Sequence, residues 1–233
     1  MSAIEGLLSD GQPHQVVTVN AEFVVRARRD EAFRRVLNAS DLAIIDGMGV
    51  VFALRFLHGV RTTRVGGADI IPDLARLAAE KKWPMFLLGA MPGVAEAAAK
   101  RLVELAPGLL ISGTYSGSPD PSQEEEILAR VRSGRTRVLL VAFGAPAQDI
   151  WIARNLSHLG PCVAIGVGGA FDYIAGLVPR APVWMRRAGL EWLYRLIRQP
   201  WRWRRQLALP LFVYLALSEL ARTRLRQSKA ERG

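Results

Sequence analysis

The 233-residue sequence predicts an α/β fold, a Rossmann-like, mostly parallel sheet with flanking helices, followed by a basic helical appendage. Three observations point there. Short apolar, β-branched runs alternate with longer helical patterns, which reads as βαβ units. Glycines and polar residues recur just after those runs. The character of the chain then changes at about Arg180, where arginine, tryptophan and proline dominate.

The predicted strands are Val16–Val19, Leu42–Ile45, Met85–Leu88, Leu109–Ile111, Val138–Phe143 and Val163–Val167. Helical stretches lie between most of them, among them Asp69–Glu80 and Val94–Leu105. In open α/β sheets ligands bind outside the carboxyl ends of the strands. Here the first run leads to Thr18, Asn20 and Glu22, and the second to Asp46-Gly47-Met48-Gly49. The third leads to Gly89-Ala90-Met91-Pro92-Gly93, the fifth to Gly144-Ala145-Pro146-Ala147-Gln148-Asp149, and the sixth to Gly168-Gly169-Ala170-Phe171-Asp172. Glycine lets backbone N–H groups approach a phosphate, and a helix N-terminus adds a favourable dipole. Several such ends on one sheet edge point to a nucleotide site, with Gly89, Gly168, Gly169 and Asp172 among its candidate residues. A turn is what any one of these glycines alone would indicate.

Charge is unevenly placed. Residues 1–179 hold 18 Lys/Arg and 18 Asp/Glu, whereas residues 180–233 hold 13 and three, so the whole net charge of +10 sits in the last quarter. Such an asymmetry points to an acidic partner: a membrane, a nucleic acid or a phosphorylated ligand. A division follows, with an α/β domain over 1–179 and an appendage over 180–233. The appendage is expected to form a helix over Val183–Gln199, ended by Pro200, with Leu190, Leu193 and Ile197 on one face and arginines beside it. Helices of that kind lie in a membrane interface.

Several classes are disfavoured. The single cysteine, Cys162, cannot form an internal disulfide and reads as a buried thiol. His14, His58 and His158 lack ligand spacing, so no zinc site is expected. The N-terminus lacks the basic and apolar regions of a secretory signal. The longest apolar stretch, Leu207–Leu217, is interrupted by Pro210 and is too short to span a bilayer. A cytoplasmic protein, peripheral on the inner face of the plasma membrane, is expected. There is no P-loop, no complete dinucleotide fingerprint, no zincin or hydrolase-elbow motif, and no Asp-x-Asp pair for a sugar-nucleotide metal. An enzyme acting on a nucleotide diphosphate would then have to use its own cations, and the arginines are suited to that.

Asp46 is the best candidate catalyst. An ionised carboxylate at a strand end, followed by glycines, can accept a proton from an attacking hydroxyl. Capping the next helix is an equal alternative. Gln148 carries an amide suited to a sugar hydroxyl or a uracil edge, or is a surface loop residue.

With these residues in view, the chain resembles the WecG/TagA/CpsF family of bacterial glycosyltransferases. The stretches that carry the resemblance are TVNAEFV, IIDGMGVV, TTRVGGAD, FLLGAMPGV, FGAPAQDIW, IGVGGAFDYIAG and RAPVWMRRAGLEWLYRLIRQPWRWRR, in order from about Val16 to Arg205. The resemblance implies the fold type called GT-E and an inverting, metal-independent transfer without a cofactor. It implies a UDP-sugar donor carrying N-acetylmannosamine, its uronic acid or glucose, and an undecaprenyl-diphosphate-linked acceptor in cell-surface polysaccharide synthesis. By this similarity Asp46 is the general base, and Thr18, Asn20, Arg64 and Gln148 line the donor and acceptor pocket. Arg195, Arg202 and Arg205 of the appendage close over the site and hold diphosphate charge. Ala21 stands where many relatives have proline, and Asp149 where glutamate is usual, which bears on sugar preference. At Gly117-Ser118 an aromatic often follows the glycine in relatives, so a stacking contact is in question there. Two rival readings are a dinucleotide-binding oxidoreductase and a nucleic-acid-binding module. Which sugar moves, the pathway, and whether the chain forms a homo-oligomer stay open.

Overall fold

The computed structural model describes residues 1–200 and 203–230. Along the chain run α1 (Ser2–Ser9), β1 (His14–Val19), α2 (Ala21–Ala27), α3 (Glu31–Ala39), β2 (Leu42–Ile45), α4 (Met48–His58) and α5 (Gly67–Lys81). Next come β3 (Met85–Gly89), α6 (Val94–Leu105), β4 (Ile111–Tyr115), α7 (Glu124–Ser133), β5 (Val138–Ala142), α8 (Ala147–Asn155), β6 (Val163–Gly166) and α9 (Ala170–Ile174). The C-terminal part forms α10 (Val183–Arg187), α11 (Glu191–Arg198), α12 (Trp203–Gln206) and α13 (Ala208–Ala230).

Contacts divide the chain into two compact units. The first comprises Met1–Thr18, Glu31–Ile44 and Gly66–Pro179. It holds the sheet, whose six strands among the described residues are all parallel in the order β2-β1-β6-β5-β3-β4. The α/β class is therefore as expected. The central strands β3 and β5 are buried along their whole length, as a strand covered on both faces must be. Side chains alternate between the faces. Met85, Leu87, Val138, Leu140, Val163 and Ile165 pack with the buried stripes of α5 and α6, while Phe86, Leu88, Leu139, Val141 and Ala164 pack with α7 and α8. In α6 the stripe is Val94, Ala95, Ala98, Ala99 and Leu102, the spacing of one helical face.

The strand order fixes where the connections diverge. From β3 the chain moves outward to β4, and from β5 it moves the other way to β6. The loops after β3 and β5 therefore flank a topological switch point, where α/β sheets bind ligands. Gly89 ends β3 with φ +97°, and a side chain there would begin 2.8 Å from the Ala142 carbonyl carbon of β5. Both the backbone angle and the space demand glycine.

The fourth strand differs from expectation. The apolar run Leu109–Ile111 only leads into β4, which continues as the mixed sequence ISGTY. β4 lies at the sheet edge, where strong β-formers are not needed. Gly113 is required there, because a Cβ would stand 2.6 Å from the Phe86 ring.

The second unit comprises Val19–Asp30, Ile45–Val65 and the chain from Arg180 onward. Beside the C-terminal segment it thus gathers α2 and α4. Its core is Ala21, Val25, Val50 and Phe212, with Leu54, Leu209, Leu211 and Leu215 packed around them. The single helix expected over Val183–Gln199 is two helices. Gly189 breaks it with φ +74°, and a Cβ there would stand 2.8 Å from Met48 Cγ. Pro210 sits in the first turn of α13, where its missing N–H costs nothing, so the apolar stretch is helical through it. No helix among the described residues is long and apolar enough to cross a membrane.

Candidate active site

The residues singled out by the sequence are divided between the two units. In the first unit Thr18, 7% exposed, donates from Oγ1 to the Gly166 carbonyl at 3.1 Å, tying β1 to the end of β6. Gln148 opens α8 and is almost fully buried. Its Oε1 accepts from the Gly144 N–H at 3.2 Å and the Gly168 N–H at 2.9 Å. Those glycines belong to the loops after β5 and β6, and both have positive φ. Gln148 is therefore no surface loop residue. Its oxygen clips two glycine loops together, and its Nε2 lies against Gly166. Gly169 precedes α9 and Asp172 stands in that helix's first turn, where its carbonyl accepts from the Leu177 and Val178 N–H groups.

Asp149 follows Gln148 and is fully buried. Neither carboxyl oxygen has a hydrogen-bond partner, and the preceding helix-cap residue is Pro146, which has no N–H to offer. Burial pushes this carboxyl from the usual 3.8 up to about 7, with only partial opposition from the neighbouring Gln148 amide. Its backbone carbonyl accepts from Gln15 Nε2 at 2.9 Å.

In the second unit Asp46 directly follows β2. Its N–H donates to the Val19 carbonyl at 2.8 Å. The N-cap residue of α4 is Gly47, which has no side chain to close that helix end. Arg64 Nη2 stands 3.4 Å from Asp46 Oδ1 and 3.0 Å from Glu191 Oε2, and Arg64 Nη1 donates to the Arg186 carbonyl at 3.3 Å. Arg180 lies 3.6 Å from the other oxygen of Glu191. The result is an alternating chain Asp46–Arg64–Glu191–Arg180 in which every side chain is more than two-thirds buried. Charges alternating at such distances in a partly dry setting hold one another in place.

Asn20 caps α2, its Oδ1 accepting from the Phe23 N–H at 3.1 Å, and the Gly47 backbone packs against it. Arg205 is gripped in a two-pronged ion pair by Glu22, at 2.8 and 3.1 Å. Arg195 lies on α11. Arg202 lies outside the described residues. Among those residues no group of three or more His, Cys, Asp or Glu is placed to hold a metal ion.

Sequence reasoning passed over Glu191. A signal existed: it is one of only three acids among the 13 cations after residue 179. An acid kept inside a cationic segment has a partner to hold.

An all-parallel sheet with glycine loops at its switch point is the frame of a ligand-binding α/β protein. The chain matches the glycosyl transferase WecG/TagA/CpsF family over residues 1–226, and it belongs to that family. It is a glycosyltransferase. One relative is the N-acetylglucosaminyldiphosphoundecaprenol N-acetyl-beta-D-mannosaminyltransferase of Bacillus subtilis, 36% identical over 206 residues, 88% of this chain and 79% of that protein. The protein of the same name from Bacillus spizizenii is 34% identical over 203 residues, 87% of this chain and 78% of its own.

Proposed function

We propose that this chain transfers an N-acetylmannosamine-type sugar from a UDP-sugar to an undecaprenyl-diphosphate-linked saccharide, with inversion and without a metal, in the synthesis of a cell-surface polysaccharide. The observation that carries the reading is Asp46, a carboxylate placed directly after β2 and held by Arg64. The relatives' names supply the acceptor and the sugar class.

The chemistry follows from these groups. Asp46 takes the proton from the acceptor hydroxyl as the oxygen attacks the anomeric carbon, and the bond to UDP breaks on the opposite side. One base and one displacement suffice for inversion. The diphosphate gains negative charge as it leaves. Guanidiniums of the cationic segment, Arg195 and Arg205 among them, can stabilise it. In the first unit the loops after β5 and β6, held together by Gln148, are the donor-binding elements of this reading. Glucose, or the uronic acid of N-acetylmannosamine, is the other donor sugar in keeping with the family.

The lipid-linked acceptor places the work at a membrane surface, and in this reading the protein sits on the inner face of the plasma membrane. Supporting this, the excess positive charge lies after residue 179, and Phe56, Tyr214 and Leu217 of the second unit are 61–67% exposed.

The test is a product assay. The protein is incubated with a panel of UDP-sugars and an undecaprenyl-diphosphate-N-acetylglucosamine acceptor, with and without EDTA, and products are identified by mass. The expected result is one added N-acetylhexosamine, EDTA-insensitive, lost by a factor of at least about 100 in Asp46→Asn. Transfer by the variant at the wild-type rate would remove Asp46 from its role.

A further inference from the structure

Asp149 is an ionisable group that the transfer chemistry above does not use, yet its surroundings are specific. It lies in the first turn of α8, fully buried, with both carboxyl oxygens unpartnered. Gly166 at the end of β6 has no room for a side chain on this side: a Cβ would stand 2.7 Å from Asp149 Oδ1 and 2.5 Å from Gln148 Nε2. The carboxyl group and the Gln148 amide are thus wedged together against one glycine. That glycine's carbonyl is held by Thr18, and the Gln148 oxygen holds the Gly144 and Gly168 N–H groups. A negative charge placed in this packing has no cation to answer it. On its own helix, Arg154 is paired with Glu124. On α3, which packs on α8, Glu31, Arg34 and Arg35 are exposed. On β1 the facing group is the Gln15 amide, and His14 is engaged by Asp10 and Asp41.

We propose that Asp149 is a positioning residue for donor binding that works in its neutral, protonated form, keeping the Gln148 clip and the two glycine loops in their binding arrangement. A neutral carboxyl fits beside the amide and the Gly166 backbone at little cost. An ionised one must draw in water or leave the packing, and either movement pulls Gln148 from Gly144 and Gly168. The loops after β5 and β6 then lose their common tether. The proton simply equilibrates with solvent; no bond to substrate is made or broken by Asp149. The role in donor binding rests on the proposed UDP-sugar reaction, whereas the tether itself does not.

Two measurements on the full chain separate these. The first is amide hydrogen exchange at Gly144 and Gly168 between pH 6 and 8.5, corrected for the intrinsic rise of exchange with pH. Protection should break near pH 7 in the wild type and stay level in Asp149→Asn, whose amide cannot ionise. The second is the Kd for UDP-N-acetylmannosamine over the same range. With a carboxyl that titrates at about 7, the neutral fraction falls to about one in thirty at pH 8.5, so the wild-type Kd should rise up to about thirtyfold. In Asp149→Asn it should be independent of pH. A wild-type exchange profile without a break, or the same break in the variant, overturns the proposal. Should Asp149→Asn fail to fold, the wild-type profile decides alone. If UDP-N-acetylmannosamine binds neither protein at any pH, the donor reading falls, while the exchange data still decide the tether.

Discussion

Arg64 leans toward Glu191 rather than toward Asp46: its Nη2 is 3.0 Å from Glu191 Oε2 and 3.4 Å from Asp46 Oδ1. One guanidinium nitrogen thus serves two carboxylates, and Glu191 takes the closer share. This matters for a base. An arginine bound tightly to Asp46 would stabilise its charged form and make it a weaker proton acceptor.

Glu191→Gln should therefore slow transfer. Without the Glu191 charge, Arg64 is free to close fully on Asp46. A loss of about tenfold in kcat is expected, corresponding to about 1.4 kcal/mol of barrier. Steady-state rates of wild type and variant at saturating substrates check this. An unchanged kcat would show that Glu191 does not act on the base.

Membrane docking should depend on apolar side chains of α13 that its core does not use. Tyr214 and Leu217 are 67% and 61% exposed and lie three residues apart, on one face. Tyr214→Asp with Leu217→Asp leaves the buried Phe212 untouched. Each lost apolar group is worth roughly 1.5–3 kcal/mol when fully buried, so a drop of more than tenfold in sedimentation with anionic liposomes is expected. Binding equal to wild type would move the docking surface elsewhere.

His14 should make stability depend on pH. It is nearly buried at the start of β1, with Nε2 2.8 Å from Asp10 and Nδ1 3.0 Å from Asp41. Burial alone would lower its pKa, but the bonds and charges of Asp41 and Asp10 together outweigh burial and raise it above 6.5. A raised histidine stabilises the fold fully below the unfolded value of about 6.5, and this contribution is lost as pH rises through the higher folded value. Thermal melts should show a larger fall in Tm from pH 6 to pH 8.5 in the wild type than in His14→Gln. Equal falls would assign the pH dependence to other groups.

Much of this was legible because parallel sheets write themselves plainly. The runs at Met85 and Val138 are apolar without alternation, the mark of strands covered on both sides. The edge strand was misplaced because ISGTY has little apolar content, and Gly113 is there for the Phe86 ring, a neighbour distant in sequence. The helix break at Gly189 was missed for a similar reason, since Met48 lies 141 positions earlier in the chain. Of the site residues, Asp46 and Gln148 were visible from their places after strands. What they touch was not. Glu191 and the clip formed by Gln148 emerge only when loops far apart in sequence are brought together.

The core of the second unit joins Ala21, Val25 and Val50 to Phe212, residues separated by more than 160 positions of chain. During synthesis α2 and α4 emerge well before the helix that covers their apolar faces. Those faces must wait while the residues between them and α13 are made, an interval in which exposed apolar surface invites aggregation. Shortening the protein before α13 would leave that wait without end. A chain cut at residue 179 should therefore need chaperones or fail to accumulate, even though every strand of its sheet is intact.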